Sequence, residues 1–130
     1  MHEIDIPAVK SEVEAAFALY EQALVANDVE TLDRLFHADT RTIRYGVAEN
    51  LYGHAAIAAF RAGRPSTGLE RTLEATVITT YGHDFATACT LFKRSSLPGK
   101  IGRQSQTWLR TEAGWRVVAA HVSIIADPEG

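Results

Sequence analysis

The stretch from Leu69 to Ile125, LERTLEATVITTYGHDFATACTLFKRSSLPGKIGRQSQTWLRTEAGWRVVAAHVSII, decides the fold. It divides into four segments rich in β-formers: LERTLEATVITT, DFATACTLFKR, IGRQSQTWLR and WRVVAAHVSII. The breaks between them, YGH, SSLPGK and TEAG, are short and built from turn residues. Four such segments in succession predict a meander of antiparallel neighbours. In the third, Arg103, Ser105 and Thr107 fall on one face, and Gln104, Gln106 and Trp108 on the other. In the last, alternation lines up Trp115, Val117, Ala119, His121 and Ser123. Alternation alone leaves open which face is concave.

Upstream the period changes. Residues 7–27 predict a long helix, with Pro7 in its first turn and Val9, Val13, Phe17, Tyr20 and Leu24 at helical spacing. Asn27-Asp28 stops it and caps a shorter helix over 29–36. Thr42–Tyr45 reads as a short strand closed by Gly46, and the stretch AEN after it reads as a turn. Gly53–Arg64 is a third, alanine-rich helix ended by Pro65. Helices segregated from strands mean an α+β fold, and residues 1–130 have the size of one domain. A curved mixed or antiparallel sheet wrapped around the long helix would form a cone with an open mouth, a natural small-molecule pocket.

Composition narrows the partners. The net charge of −3 and the absence of Lys/Arg runs argue against nucleic acid. No apolar run approaches the roughly 20 residues of a bilayer span, and MHEIDIPAVK has no apolar stretch of signal-peptide length. A lone Cys89 forms no internal disulfide, which fits the cytoplasm. Its place in the alternation ATACTLF predicts a buried, inert thiol. Ten arginines stand against three lysines, and arginine suits two-pronged recognition of carboxylates.

Several side chains are candidates for chemistry. Tyr20 lies on the apolar stripe of the first helix, either as a core tyrosine or as a phenol projecting into the pocket. Arg44 is either a solvated strand residue or a fixed charge in the pocket wall. Ile57, Arg61 and Arg64 share one helix face, so two guanidiniums could approach one anion. Arg64, Arg103, Ser105, His121 and Ser123 are candidates to bind substrate. No zinc-type spacing, P-loop, dinucleotide fingerprint or nucleophile elbow occurs, so neither metal nor cofactor is expected.

The words FALYEQALVANDVETLDRLF, TIRYGVAENLYGHAAIAAFRAGRP, VITTYGHDFATA and GRQSQTWLRTEAGWRVVAAHVSI span nearly the whole chain. Together they resemble the AtzH-like family within the NTF2-like (SnoaL-like) cone superfamily. That resemblance implies a metal-independent decarboxylating amidohydrolase that converts 1,3-dicarboxyurea into allophanate, in nitrogen catabolism of the cyanuric acid and urea type. It implies Tyr20 and Arg44 as the catalytic pair, a homodimer through the outer face of the sheet, and functional association with an amidase or allophanate hydrolase. Two other readings stay open: an isomerase, dehydratase or cyclase on the same cone, and a non-catalytic association domain that supports an amidase.

Overall fold

The computed structural model describes residues 2–129. Helix α1 (Pro7–Ala26) begins with Pro7 and ends at Asn27, whose φ of 52° is left-handed. Asp28 then caps α2 (Val29–Leu35): its carboxylate accepts from the Thr31 backbone N–H at 3.2 Å and from the Thr31 hydroxyl at 2.6 Å. Strands β1 (Ile43–Tyr45) and β2 (Asn50–Tyr52) form a tight hairpin ahead of α3 (His54–Ala62). The long strands follow: β3 (Thr72–Tyr81), β4 (Phe85–Lys93), β5 (Lys100–Thr111) and β6 (Gly114–Ala126). This is the expected α+β architecture, three helices on a mixed sheet.

The sheet order is β2-β1-β6-β5-β4-β3, with every pair antiparallel except β1–β6. The meander therefore holds as expected, and the hairpin adds to its β6 edge. Strand β2 starts at Asn50, the last residue of the AEN stretch that reads as a turn. Three residues form it only because Gly46 and Gly53 close the hairpin: the Gly46 N–H donates to Glu49 O at 2.9 Å and the Gly53 N–H to Thr42 O at 2.7 Å.

The stripe of α1 lies on the concave side of the sheet. Val13, Phe17, Tyr20 and Leu24 share one core with Ala86, Ala88, Trp108, Val117 and Ala120. In β4 the even positions Ala86, Ala88, Thr90 and Phe92 point inward. Cys89 is therefore on the outer face, exposed beside Ser105, and not buried as its apolar neighbours suggest. The tip of the Phe92 ring fills the space where a β-carbon at Gly102 would lie.

One irregularity re-aims β6. Thr107 pairs with Ala119 but Trp108 pairs with Val117, so Val118 is left without a rung. This β-bulge shifts the alternation by one residue. Trp115 and Val117 face inward before it, and Ala120 and Val122 after it. The single face expected for Trp115, Val117, Ala119, His121 and Ser123 is split in two.

Candidate functional site

Tyr20, Arg44 and Arg64 meet around one cavity of about 540 Å³. Its wall is drawn from α1 (Tyr20, Leu24), the β1–β2 hairpin (Arg44, Glu49), α3 (Phe60), the residues flanking β3 and β4 (Arg71, Arg94) and β5 (Gln104). A larger hollow of about 690 Å³ lies between α2 and the β5–β6 turn, but neither the tyrosine nor Arg44 lines it.

Pairing explains why Arg44 faces inward. It sits opposite inward-facing Ala120 on β6 and Leu51 on β2, while its neighbour Tyr45 sits opposite outward-facing His121. The Arg44 side chain is only 12% exposed, with Nη1 donating to Glu49 Oε1 at 3.0 Å and Cζ 5.6 Å from the Phe60 ring centroid. Gly46 permits that ion pair, because a β-carbon there would occupy the place of the Glu49 carboxylate. The Nε and Nη2 groups of Arg44 donate to no described residue. Tyr20 is 4% exposed, packs at 6.3 Å from the Phe36 ring, and its hydroxyl has no hydrogen-bond partner among the described residues. A buried phenol of that kind has a donor free for whatever enters the cavity.

The two arginines expected to share an anion on α3 part company. Arg61 turns into the core, donating to Asp33 Oδ1 at 3.2 Å and stacking 4.2 Å from the Phe36 centroid. Arg64 reaches the cavity and touches Asn27 Oδ1 at 3.4 Å. Burial holds both guanidiniums below their usual pKa; for Arg64, Tyr20 opposes that shift and Arg44 adds to it.

The other expected binders do not reach this cavity. Arg103, Ser105 and His121 are exposed, and Arg103 Nε donates to Ser123 Oγ at 3.0 Å on that same outer face. Arg103 and Ser105 occupy the odd positions of β5, whose even positions face α1. The Val118 bulge turns His121 and Ser123 outward. As cavity ligands these four positions are corrected by the register.

In their place stand Arg71, Arg94 and Gln104, which single residues do not announce. Arg71 and Arg94 flank the Thr72–Lys93 rung of the β3–β4 pair. Read separately, each resembles a solvated strand end. Read as a hairpin, they are like charges brought together, which destabilises a sheet unless an anion intervenes. That conflict is the signal in the sequence. Arg71 is paired with Glu21 of α1 and donates from Nη2 to Gln104 Oε1 at 3.0 Å. Arg71 and Arg94 both lie on the Phe92 ring, at 4.5 and 4.9 Å from its centroid. Around the cavity four arginines thus face two glutamates, leaving two formal positive charges. Among the described residues no group of three or more His, Cys, Asp or Glu could hold a metal ion, and no helix is long and apolar enough to cross a membrane.

A helix-filled cone with a cationic cavity at its mouth defines a class, the NTF2-like or cystatin-like α+β fold. Solved structures agree. A protein from Pectobacterium atrosepticum, described as of unknown function and of the DUF3225 family, is 55% identical with a TM-score of 0.92, covering 95% of each chain. A cystatin-like fold protein from Burkholderia xenovorans is 45% identical with a TM-score of 0.94, over 98% of this chain and 100% of that one. An NTF2-like protein from Pseudomonas putida, 19% identical with a TM-score of 0.74 over 89% and 86% of the two chains, shares the fold. No curated protein matches. The AtzH-like family model matches residues 2–128, and the chain belongs to the AtzH-like family.

Proposed function

We propose that this protein is a cofactor-independent enzyme that removes one carboxylate from nitrogen in a small dianionic urea, converting 1,3-dicarboxyurea into allophanate. One observation carries the reading: Tyr20 and Arg44 converge on a single cavity whose remaining charged wall has an excess of arginine. An apolar ring substrate would bring no anion to Arg64 and Arg94, the two cavity arginines without a carboxylate partner among the described residues. The same cationic wall favours a ligand site over a purely associating domain.

The chemistry follows from the groups present. In a carboxylated urea the C–N bond to one carboxylate breaks, its electron pair returns to nitrogen, and CO₂ leaves. The nitrogen must gain a proton as the bond breaks. The Tyr20 hydroxyl, which opens on the cavity with no hydrogen-bond partner among the described residues, is the group to supply it, an effect typically of ~10²–10⁴-fold. The free Nε and Nη2 of Arg44 offer a two-pronged grip on one carboxylate, which fixes the reacting bond against the phenol. Phe60, Leu24 and Val122 keep water from part of the wall and strengthen both contacts.

The test is incubation with enzymatically generated 1,3-dicarboxyurea, following allophanate by mass spectrometry and CO₂ release directly. Tyr20→Phe and Arg44→Ala should each abolish most turnover and keep the melting profile. Unchanged turnover in both variants would remove the assignment. The reading also includes pairing of two copies through the outer sheet face and work beside an amidase or allophanate hydrolase, tested by sedimentation and by co-purification with that enzyme.

A further inference from the structure

Among the described residues, three buried side-chain atoms at the cavity have no hydrogen-bond partner: Nε of Arg64, Nε of Arg94 and Nε2 of Gln104. Gln104 is the most telling, since its side chain belongs to a residue only 2% exposed. Its amide cannot turn round. Oε1 accepts from Arg71 Nη2 at 3.0 Å, and a guanidinium has donors only, so a flip would set donor against donor. Arg71 is itself held by Glu21 and by the Phe92 ring. The chain Glu21–Arg71–Gln104 therefore commits the Gln104 NH₂ group to the side away from Arg71, where no acceptor among the described residues meets it. A native buried donor of this kind calls for an acceptor from outside the chain.

Arg94 lies on the same phenylalanine ring as Arg71 and lines the same cavity as Gln104. It forms neither a hydrogen bond nor an ion pair among the described residues. Burial, then Arg71 and Arg64, push its pKa below the usual value, while Glu21 and Tyr20 oppose the shift. Glu21 is already engaged by Arg71. The region thus holds donors and positive charge in excess, at residues other than the Tyr20–Arg44 pair.

We propose that Gln104 and Arg94 form a second carboxylate subsite, which binds the carboxylate that the reaction retains and makes the enzyme select dianions over monoanions. The inference rests on the proposed function, in which Arg44 grips the carboxylate to be lost. Bond breaking then proceeds as above: the C–N electrons go to nitrogen, Tyr20 supplies the proton, and CO₂ departs from the Arg44 end. The product keeps only the Gln104–Arg94 anchor, so it binds less tightly than the substrate and leaves.

Calorimetric titration of the full chain with glutarate and with butyrate separates the possibilities. Glutarate has the same three-atom spacing between carboxylates as 1,3-dicarboxyurea, and butyrate is the same chain with one carboxylate removed. Wild-type protein should bind glutarate at least about tenfold more tightly. Gln104→Glu, which keeps the shape and the Arg71 contact but removes the donor, should bring that ratio near one. Arg94→Gln, at a less buried position, should do the same and carries the test if the first variant does not fold. Butyrate affinity should stay within about twofold in both. A glutarate preference that survives in the variants overturns the subsite and leaves the proposed function standing. Wild-type protein that shows no glutarate preference overturns the dicarboxylate reading and the subsite with it.

Discussion

Replacing Glu21 by methionine isolates the buried ion pair that props the cavity wall. The Arg71 side chain is 2% exposed and Glu21 15%, so the guanidinium depends on this one carboxylate for charge. Breaking such a pair from one side costs about 3–5 kcal/mol, because a cation stays buried without its anion. Here the lower end applies: Gln104 still accepts from Arg71, Phe92 still stacks on it, and the cavity admits some water. Glu21→Met should therefore cost about 3 kcal/mol. With an unfolding entropy near 2.1 cal/mol/K per residue, that is a fall in Tm of about 10 °C for a chain of this length. The double variant Glu21→Met/Arg71→Met buries no unpaired charge and should recover most of the loss, giving a coupling of about 2 kcal/mol. Urea unfolding followed by tryptophan fluorescence reads all four corners of the cycle, since Trp108 is fully buried in the same core. If Glu21→Met costs less than about 1 kcal/mol, or if the single costs simply add in the double variant, the pair does not hold the wall and the reasoning fails.

Other outcomes follow from the same geometry. Arg44→Lys should lose most turnover although charge is kept, because an ammonium cannot make the two-pronged contact; steady-state kinetics against the wild type measures it. Gly46→Ala should fold, since only the movable side-chain ends of Glu49 and Arg44 stand in the way, but it should dislodge Glu49 from Arg44; a changed KM with little change in Tm is the expected signature. Asp28 has its pKa lowered by the Thr31 hydroxyl and backbone N–H, so its contribution is present above its unfolded value near 3.8 and is lost as pH falls through the lower folded value. Asp28→Ala should lower Tm at neutral pH and flatten the acid limb of the Tm–pH curve. Trp108→Ala should cost about 3–5 kcal/mol, measured by the same urea unfolding followed by circular dichroism.

The meander was legible because its turns are local: YGH, SSLPGK and TEAG each announce a reversal within a few residues. Thr42–Tyr45 read as a strand, but its pairings did not: β2 is only three residues long and overlaps the turn-like AEN, and the β6 partners of β1 lie more than 70 residues away. At the site, Tyr20 was readable from the helical stripe and Arg44 from a charge set into a strand. Arg71 and Arg94 were hidden because each is an ordinary strand-end cation until the β3–β4 register sets them side by side. His121 and Ser123 misled for a sharper reason. Period-2 reasoning carries one face along the whole of β6, and Val118 breaks that period with no glycine or proline to mark the place. The apolar neighbours of Cys89 misled likewise, because an outer face can carry Leu91 and Phe85 as readily as an inner one.

The unpaired Val118 gives one strand two jobs along its length. Its first half seals the base of the cone with Trp115 and Val117; its second half, rotated by one step, offers the small side chain of Ala120 opposite Arg44 and so leaves room for the guanidinium. Excising that spare valine would close the bulge with Ala120 still inward, whereas giving Val118 a rung of its own would swing an imidazole into the ligand chamber and turn Ala120 to solvent, so one uncounted residue sets which side chains meet the ligand.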